Sequence, residues 1–420
     1  MIDPDQSYEE QLDARAAALA TACVHGSEPA AAPRPRSALF GAPLEMPIVL
    51  SSAFAFATTE EAAGAFLGEN DAYIYGRWKN PTVHALETRL ARLEATEDAC
   101  ATASGMAALS GAVLAFCAQG DHVVAPRSMY AESARLFRER LPRLGIETTF
   151  VDADVAGSYE AAIQPSTRVF YVETPANPTL AITDIAAVTR LARDRGIMTI
   201  ADNTFATPFA QTPHELGIDL VAHSMTKAIG GHGDAIGGCV CGSRAHVSVV
   251  RDVIVKGFGG VISPFTAFLV ARGICTLALR QRQQCASAAV LAERLAAHPR
   301  VAAVHHPSLA SHRGHRVACR QMHAFGSLLS FELRALDAGD DALAAGRRVV
   351  DDVRTIAHAV SLGDVRSLIV HPASTTHVTM PPAARAAANI GDGLLRLSVG
   401  IESTDDIWSD LRAALEARTR

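Results

Sequence analysis

Between about residue 80 and residue 240, short apolar runs alternate with stretches whose apolar residues recur at helical spacing. Pro81-Thr82 opens a helix on Leu86, Leu90 and Leu93. Residues 100–103, 122–125, 169–172, 198–201 and 220–222 read as strands. Strands separated by helices of ten to fifteen residues predict a mostly parallel sheet covered by helices on both faces. Ligands of such sheets gather where the strands end, at the carboxyl edge. After about residue 270 the pattern changes to longer helices, residues 276–297 among them, and then to a strand-like run at 327–332. The fold class predicted is α/β: a large domain at 73–270, a smaller α+β domain at 271–420, and an N-terminal extension at 1–72. Residues 31–36 (Ala-Ala-Pro-Arg-Pro-Arg) read as an irregular linker.

Composition narrows the function classes. The chain has 420 residues, is 49% hydrophobic and carries a formal net charge of -6. It is long enough for more than one core. Mild acidity and the lack of a basic block exclude nucleic acid as the main partner. No stretch of about 18 to 20 apolar residues is present, so no membrane span is expected. The polar, acidic first ten residues do not resemble a secretion signal. The 8 cysteines contain no C-x-x-C pair, and Cys239 and Cys241 look like same-face neighbours on one strand. A reducing, cytoplasmic setting is expected.

Several polar residues interrupt the apolar runs where a site is expected. Lys227 lies in Ser224-Met225-Thr226-Lys227, followed by Ala228-Ile229-Gly230-Gly231. A half-buried amine there can form an imine with an aldehyde cofactor, and Ser224 and Thr226 can bond a phosphate. Ser104-Gly105-Met106 lies at a strand-to-helix turn whose free N–H groups suit an anion, although serine before a helix is most often only a cap. Asp202 ends an apolar strand, where a carboxylate needs a cationic partner, such as a protonated pyridine nitrogen. Otherwise it starts a turn. Tyr130 follows another strand by a short loop and can stack on a cofactor ring or move a proton. Asn177, in Glu173-Thr174-Pro175-Ala176-Asn177-Pro178, is placed as a donor within what also reads as a rigid turn. Arg396, flanked by leucines, suits a substrate carboxylate, with an internal salt bridge as the competing reading. Each bland reading is adequate singly; the ordered set is not explained by them.

With these residues in view, the chain resembles the cysteine and methionine metabolism family of pyridoxal-phosphate enzymes. The resemblance runs from about Phe54 to Ala417. It rests on Tyr75-Gly76-Arg77 with Asn80-Pro81-Thr82, Ser104-Gly105-Met106, the run from Glu173 to Pro178, and Asp202-Asn203-Thr204. The Lys227 run, Ser361-Leu362-Gly363, His371-Pro372-Ala373 and the run from Arg396 to Gly400 complete it. It implies the aspartate-aminotransferase-like fold (type I) and pyridoxal 5'-phosphate as cofactor, with no metal. It makes Lys227 the imine-forming lysine and base, Asp202 the partner of the ring nitrogen, and Tyr130 the stacking residue and acid. Ser104, Gly105, Met106, Ser224 and Thr226 become the phosphate seat, with Asn177 beside the cofactor. Arg396 becomes the receptor of the substrate α-carboxylate. Tyr75 and Arg77 are implied to reach the neighbouring subunit's phosphate, which means shared sites in a dimer, usually paired into a homotetramer, with residues 1–72 forming an arm toward that neighbour.

Substrate choice is less legible. Val360, before Ser361, is apolar where cystathionine-handling members often carry Glu, and with Gly231-His232-Gly233-Asp234 this looks like methionine γ-lyase. Two residues after Tyr130, however, stands Glu132 instead of the cysteine typical of methionine γ-lyases, and Arg135 matches cystathionine γ-lyases. Arg366 replaces the Glu usual before Ser367-Leu368. Glu132 and Arg135 either form a helical i, i+3 pair of little consequence or face a charged substrate tail. The expected reaction is γ-elimination from a sulfur amino acid, L-methionine first, giving thiol, 2-oxobutyrate and ammonia. The alternatives are γ-replacement on O-acetyl- or O-succinylhomoserine (a sulfhydrylase or cystathionine γ-synthase) and cystathionine γ-lyase chemistry. A non-catalytic relative is disfavoured by the intact Lys227, Tyr130, Asp202 and Arg396. A phosphate loop at 230–238 fails because the lysine precedes the glycines.

Overall fold

The computed structural model describes residues 1–3, 5–25, 45–334 and 341–417, so the linker at 31–36 lies outside the described residues. Two sheets organise them. The first comprises β1 (Asp98–Thr102), β2 (His122–Pro126), β3 (Glu147–Val151), β4 (Thr167–Glu173), β5 (Met198–Asp202), β6 (Leu220–Ser224) and β7 (Gly238–Gly242), in the order β1-β7-β6-β5-β4-β2-β3. Its strands β2 to β6 pair in parallel, while β7 runs antiparallel to both neighbours, β1 and β6.

The sheet is buried on both faces, which is why its strands read as continuous apolar runs. Along β4 the side chains alternate, with Val169 and Tyr171 entering one core and Phe170 and Val172 the other. Helix Pro81–Leu93 lies on one face, with Leu86, Leu90 and Leu93 buried as the spacing predicts. Asn80 fixes its start by accepting from the N–H groups of Thr82 and Val83, with Pro81 pre-set in the first turn. Helix Gly105–Leu114 lies on the other face. Strand β3 escapes the sequence reading because it is a half-exposed edge strand of mixed polarity.

The second sheet contains β8 (Val301–His305), β9 (Leu328–Leu333), β10 (Ala357–His358), β11 (Leu368–Val370) and β12 (Leu394–Ser398), ordered β10-β11-β12-β9-β8. All its pairs are antiparallel except β10 with β11. Helices Leu277–Ala296 and Thr404–Glu416 cover it through Leu291, Leu295, Ile407 and Leu411. This matches the smaller α+β unit read from the C-terminal third. Among the described residues, no helix is long and apolar enough to cross a membrane.

Within the stretch 1–72, helix Tyr8–His25 docks on its own chain. Leu12, Leu19, Ala22 and Cys23 are buried in the first core, Arg15 Nε donates to the Phe209 carbonyl at 2.8 Å, and Asp13 pairs with Arg282 at 2.7 Å. Residues 45–72, in contrast, are mostly exposed, Leu50, Phe66 and Leu67 conspicuously so.

Candidate active site

The carboxyl edge of β2, β4, β5 and β6 assembles most of the residues singled out above. Ser104 caps helix Gly105–Leu114, its Oγ accepting from the Ala107 N–H at 3.1 Å. That leaves its own hydroxyl proton free to point outward. A Cβ at Gly105 would lie 2.6 Å from the Ser224 Cβ, so glycine is what lets the helix start press against the end of β6. The N–H groups of Gly105 and Met106, in the first helical turn, have no intrahelical acceptor. Lying beside Ser224, this helix start is of the kind that receives anions.

Two local devices hold the rest of this wall. Thr204 donates its N–H to Asp202 Oδ1 at 2.9 Å, while its Oγ1 accepts from the Ser224 N–H at 2.8 Å. Thr226 Oγ1 donates to the Gly237 carbonyl and accepts from the Gly237 N–H, closing the loop that carries Lys227. Its donation to a phosphate therefore requires that bond to be redirected. Beneath the loop, buried Arg280 donates to the carbonyls of Ala228 (2.7 Å) and Gly273 (2.8 Å). Gly231 has φ +71°, and a side chain there would run into this guanidinium. Arg280 is absent from the sequence reading; its signal was a charge on the inner stripe of helix Leu277–Ala296.

Lys227 Nζ donates to Ser361 Oγ at 3.1 Å. Burial, and secondarily the charge of Arg396, lowers its pKa to about 8, which makes the neutral, reactive amine accessible near physiological pH. Asp202 retains some exposure at the strand edge, yet the protein packed around it pushes its carboxyl up, against the N–H of Thr204 and the charge of His223. His223 lies on the opposite face of β6, where its Nε2 meets Glu94 Oε1 at 2.5 Å, and Asn203 Nδ2 donates to the same oxygen at 3.0 Å. Burial disfavours the imidazolium, but Glu94 outweighs it and brings His223 up to about 9. This pair was also missed, since nothing in an apolar strand flags which polar residues meet across a helix.

On the far side, Arg396 is 3% exposed. Its Nη1 donates to Asn177 Oδ1 at 2.9 Å and its Nη2 to the Ser361 carbonyl at 3.0 Å, while Nε has no partner. The salt bridge weighed for it is not formed among the described residues. Burial lowers its pKa to about 10, as expected of a guanidinium facing only neutral acceptors. Asn177 thereby keeps its Nδ2 donor free. Both X-Pro bonds flanking this turn, Thr174–Pro175 and Asn177–Pro178, are cis. The Tyr130 N–H is bonded by Glu173, its ring remains partly exposed, and burial, then the charge of Glu132, raises its hydroxyl pKa. Val360 stands at the rim with 63% exposure.

Three groups of residues stand apart. Arg135 pairs with Glu139 at 3.0 Å and with Glu132 at 4.0 Å on the helix surface. Arg366 pairs with Asp364 at 3.0 Å. Tyr75 and Arg77 lie on the exposed segment bridged to Ala53, with Arg77 stacked over the Tyr75 ring and donating to the Lys256 carbonyl. They do not join the Lys227 cluster of their own chain.

The assembled groups fit pyridoxal phosphate. There is a nucleophilic amine of lowered pKa, a carboxyl raised by burial, helix-start N–H groups beside two hydroxyls, and a buried guanidinium with an unsatisfied donor. Comparison with known proteins agrees. A family model described as "Cys/Met metabolism PLP-dependent enzyme" matches residues 35–416. The L-methionine gamma-lyase of Porphyromonas gingivalis is 41% identical over 89% of this chain and 93% of its own. The O-succinylhomoserine sulfhydrylase of Pseudomonas aeruginosa is 39% identical over 87% of this chain and 89% of its own. Among solved structures, the cystathionine gamma synthase of Xanthomonas oryzae pv. oryzae, in complex with aminoacrylate and cysteine, superposes with TM-score 0.85. It is 41% identical, over 94% of this chain and 97% of its own. Relatives of this kind are lyases and transferases acting on sulfur amino acids. The arrangement of Lys227, Asp202 and Arg396 on this fold, and the match along nearly the whole chain, place the protein in the Cys/Met metabolism family of PLP-dependent enzymes.

Proposed function

We propose that the protein catalyses γ-elimination from L-methionine, releasing methanethiol, 2-oxobutyrate and ammonia. The observation that carries this reading is the residue before Ser361, the partner of Lys227: Val360 presents a largely exposed isopropyl group, so this position offers no carboxylate to a distal ammonium. An uncharged thioether tail suits such a position. The ion pairing of Arg135 with Glu139 and Glu132 at the helix surface supports the same substrate, because it leaves that charge neutralised.

The residues divide the work by position. Arg396, with Nε open, binds the substrate carboxylate in a charge-assisted contact, and Asn177 steadies it. Lys227, neutral in part because of burial and Arg396, is placed to take the proton from the substrate Cα and then one from Cβ, whose electron pair expels the γ-sulfur, and Ser361 holds its Nζ. The Tyr130 hydroxyl, whose raised pKa keeps it protonated at neutral pH, supplies a proton to the departing sulfur. Ser104, Gly105, Met106, Ser224 and Thr226 seat the cofactor phosphate, and Asp202 faces the ring nitrogen. When bound, pyridoxal phosphate supplies the electron sink that makes the Cα proton removable.

The same reading assigns Tyr75 and Arg77 to the phosphate of a second copy's cofactor, which makes the working unit at least a dimer. Exposed Phe66, Leu67 and Leu50 near that segment support an interface there. Arg77→Ala should then weaken cofactor binding by about tenfold or more, the cost of one charge-assisted contact.

A second reading, γ-replacement on an acylated homoserine, is favoured by the sulfhydrylase relative being nearly as similar as the γ-lyase. The test is 2-oxobutyrate release by the cofactor-loaded protein from L-methionine, with L-cystathionine and with O-acetyl- and O-succinyl-L-homoserine plus a thiol run in parallel. Rapid release from methionine is expected. Silence on methionine with turnover of an acylated homoserine would move the protein to the transferases.

A further inference from the structure

Glu173 ends β4 with its carboxyl 4% exposed, and its ladder partner on β5 is Asp202. Oε1 accepts the N–H of Tyr130 and the N–H of Asn177, both at 2.9 Å. Oε2 accepts the Tyr130 N–H at 3.0 Å and the Tyr171 hydroxyl at 3.2 Å. Among the described residues, no cationic side chain bonds it. Burial and then the like charge of Asp202 push its carboxyl up, while the two N–H donors pull the other way.

A buried carboxyl is a costly choice here unless its two oxygens are needed as acceptors. Both oxygens are used. Three donors from two loops and a strand converge on two oxygens, and each loop carries a group of the site. One loop carries Tyr130. The other carries Asn177, whose Oδ1 receives Arg396. Three hydrogen bonds in series thus link the Tyr130 backbone, through Glu173 and Asn177, to the guanidinium.

We propose that Glu173 is a positioning residue that locks the Tyr130 turn and the Asn177–Arg396 clamp into one unit beside Asp202. The proposal rests on the site assignments above and deepens them: ring stacking and carboxylate binding are set by a single buried group. Loosening Glu173 should disturb both together, although it touches neither cofactor nor substrate.

The variant Glu173→Met tests this, because it removes both acceptor oxygens at similar volume and leaves the Tyr130 and Asn177 N–H groups without their acceptor. Glu173→Asp, which keeps the acceptors on a shorter side chain, is the second variant should the methionine protein fold poorly. Two readouts are independent of turnover: visible circular dichroism of the bound cofactor, reporting ring orientation, and the Kd of L-norleucine, an amino acid without a γ-leaving group. Glu173→Met is expected to weaken norleucine about tenfold, the cost of a buried donor left without its acceptor, and to reduce the dichroic band in parallel. Combined with Arg396→Lys, the two losses should be less than additive, since both act through one clamp. Unchanged dichroism and Kd, or strict additivity with Arg396→Lys, overturns the role of Glu173 alone. Wild-type protein that shows neither cofactor absorbance nor norleucine binding overturns the site assignments with it.

Discussion

Residues 98–242 and residues 357–398 contribute to the same site by different means. In the first stretch several groups at or just beyond strand ends are held by a neighbour close in sequence: Asp202 by Thr204, Ser104 by Ala107, the Lys227 loop by Thr226 and Gly237. In the second, Arg396 sits mid-strand in β12, and its partners are the Ser361 carbonyl and Asn177, which reaches over from the first sheet. The cofactor wall is therefore built by local geometry, and the substrate wall by contacts between distant parts of the chain. Damage to the second should spare cofactor binding; damage to the first should not spare either.

The largest effect is expected from Lys227→Ala, which removes the base and the attachment point. Turnover should fall by about 10⁴-fold, and the visible absorbance of lysine-linked cofactor should vanish. Retained absorbance would falsify the assignment. Next comes Arg396→Ala, expected to cut kcat/KM about a hundredfold or more by removing a buried charge-assisted contact. Cofactor affinity should stay nearly unchanged; a parallel loss of cofactor would erase the division between the walls.

A subtler coupling crosses between them. Because the Arg396 charge helps lower Lys227 to about 8, capture of free cofactor by cofactor-free protein should accelerate as pH rises and level off above about 8. The sign follows from the neutral amine being the reactive form. Arg396→Met removes a nearby positive charge, so the plateau should begin at higher pH. An unmoved plateau means burial alone sets the lysine. Smallest of all should be Arg135→Ala, which breaks an exposed ion pair. Methionine turnover and melting temperature should barely change. Selective loss on cystathionine would instead put Glu132 and Arg135 in the substrate's path.

This contrast also explains what could be read in the sequence. The cofactor wall was legible because its residues interrupt apolar runs at strand ends, where Asp202, Lys227 and Ser104 have no structural reason to cluster. Strands β2, β4, β5 and β6 emerged at nearly their observed bounds for the same reason, since burial on both faces leaves an uninterrupted apolar signature. Arg396 was noticed only as a charge within a leucine run, and its partners were invisible: which carbonyl or amide it meets depends on how two sheets pack. Glu173, Arg280 and the Glu94–His223 pair were opaque likewise, being polar groups that matter through contacts far along the chain. The docking of the N-terminal helix on its own chain was not legible either, because an alanine-rich segment does not announce which surface it will cover.

The antiparallel course of β7 has one more consequence. Ser224 pairs with Gly238, and the pairing continues to Leu220 with Gly242, so the lysine loop is the tip of a hairpin set inside the sheet. Contacts this close along the chain form early, and long-range ones late. A chain emerging N-terminus first completes the entire first sheet, through Gly242, before β8 at Val301 is made. During synthesis, the reactive amine is thus in place well before the guanidinium that selects what may approach it.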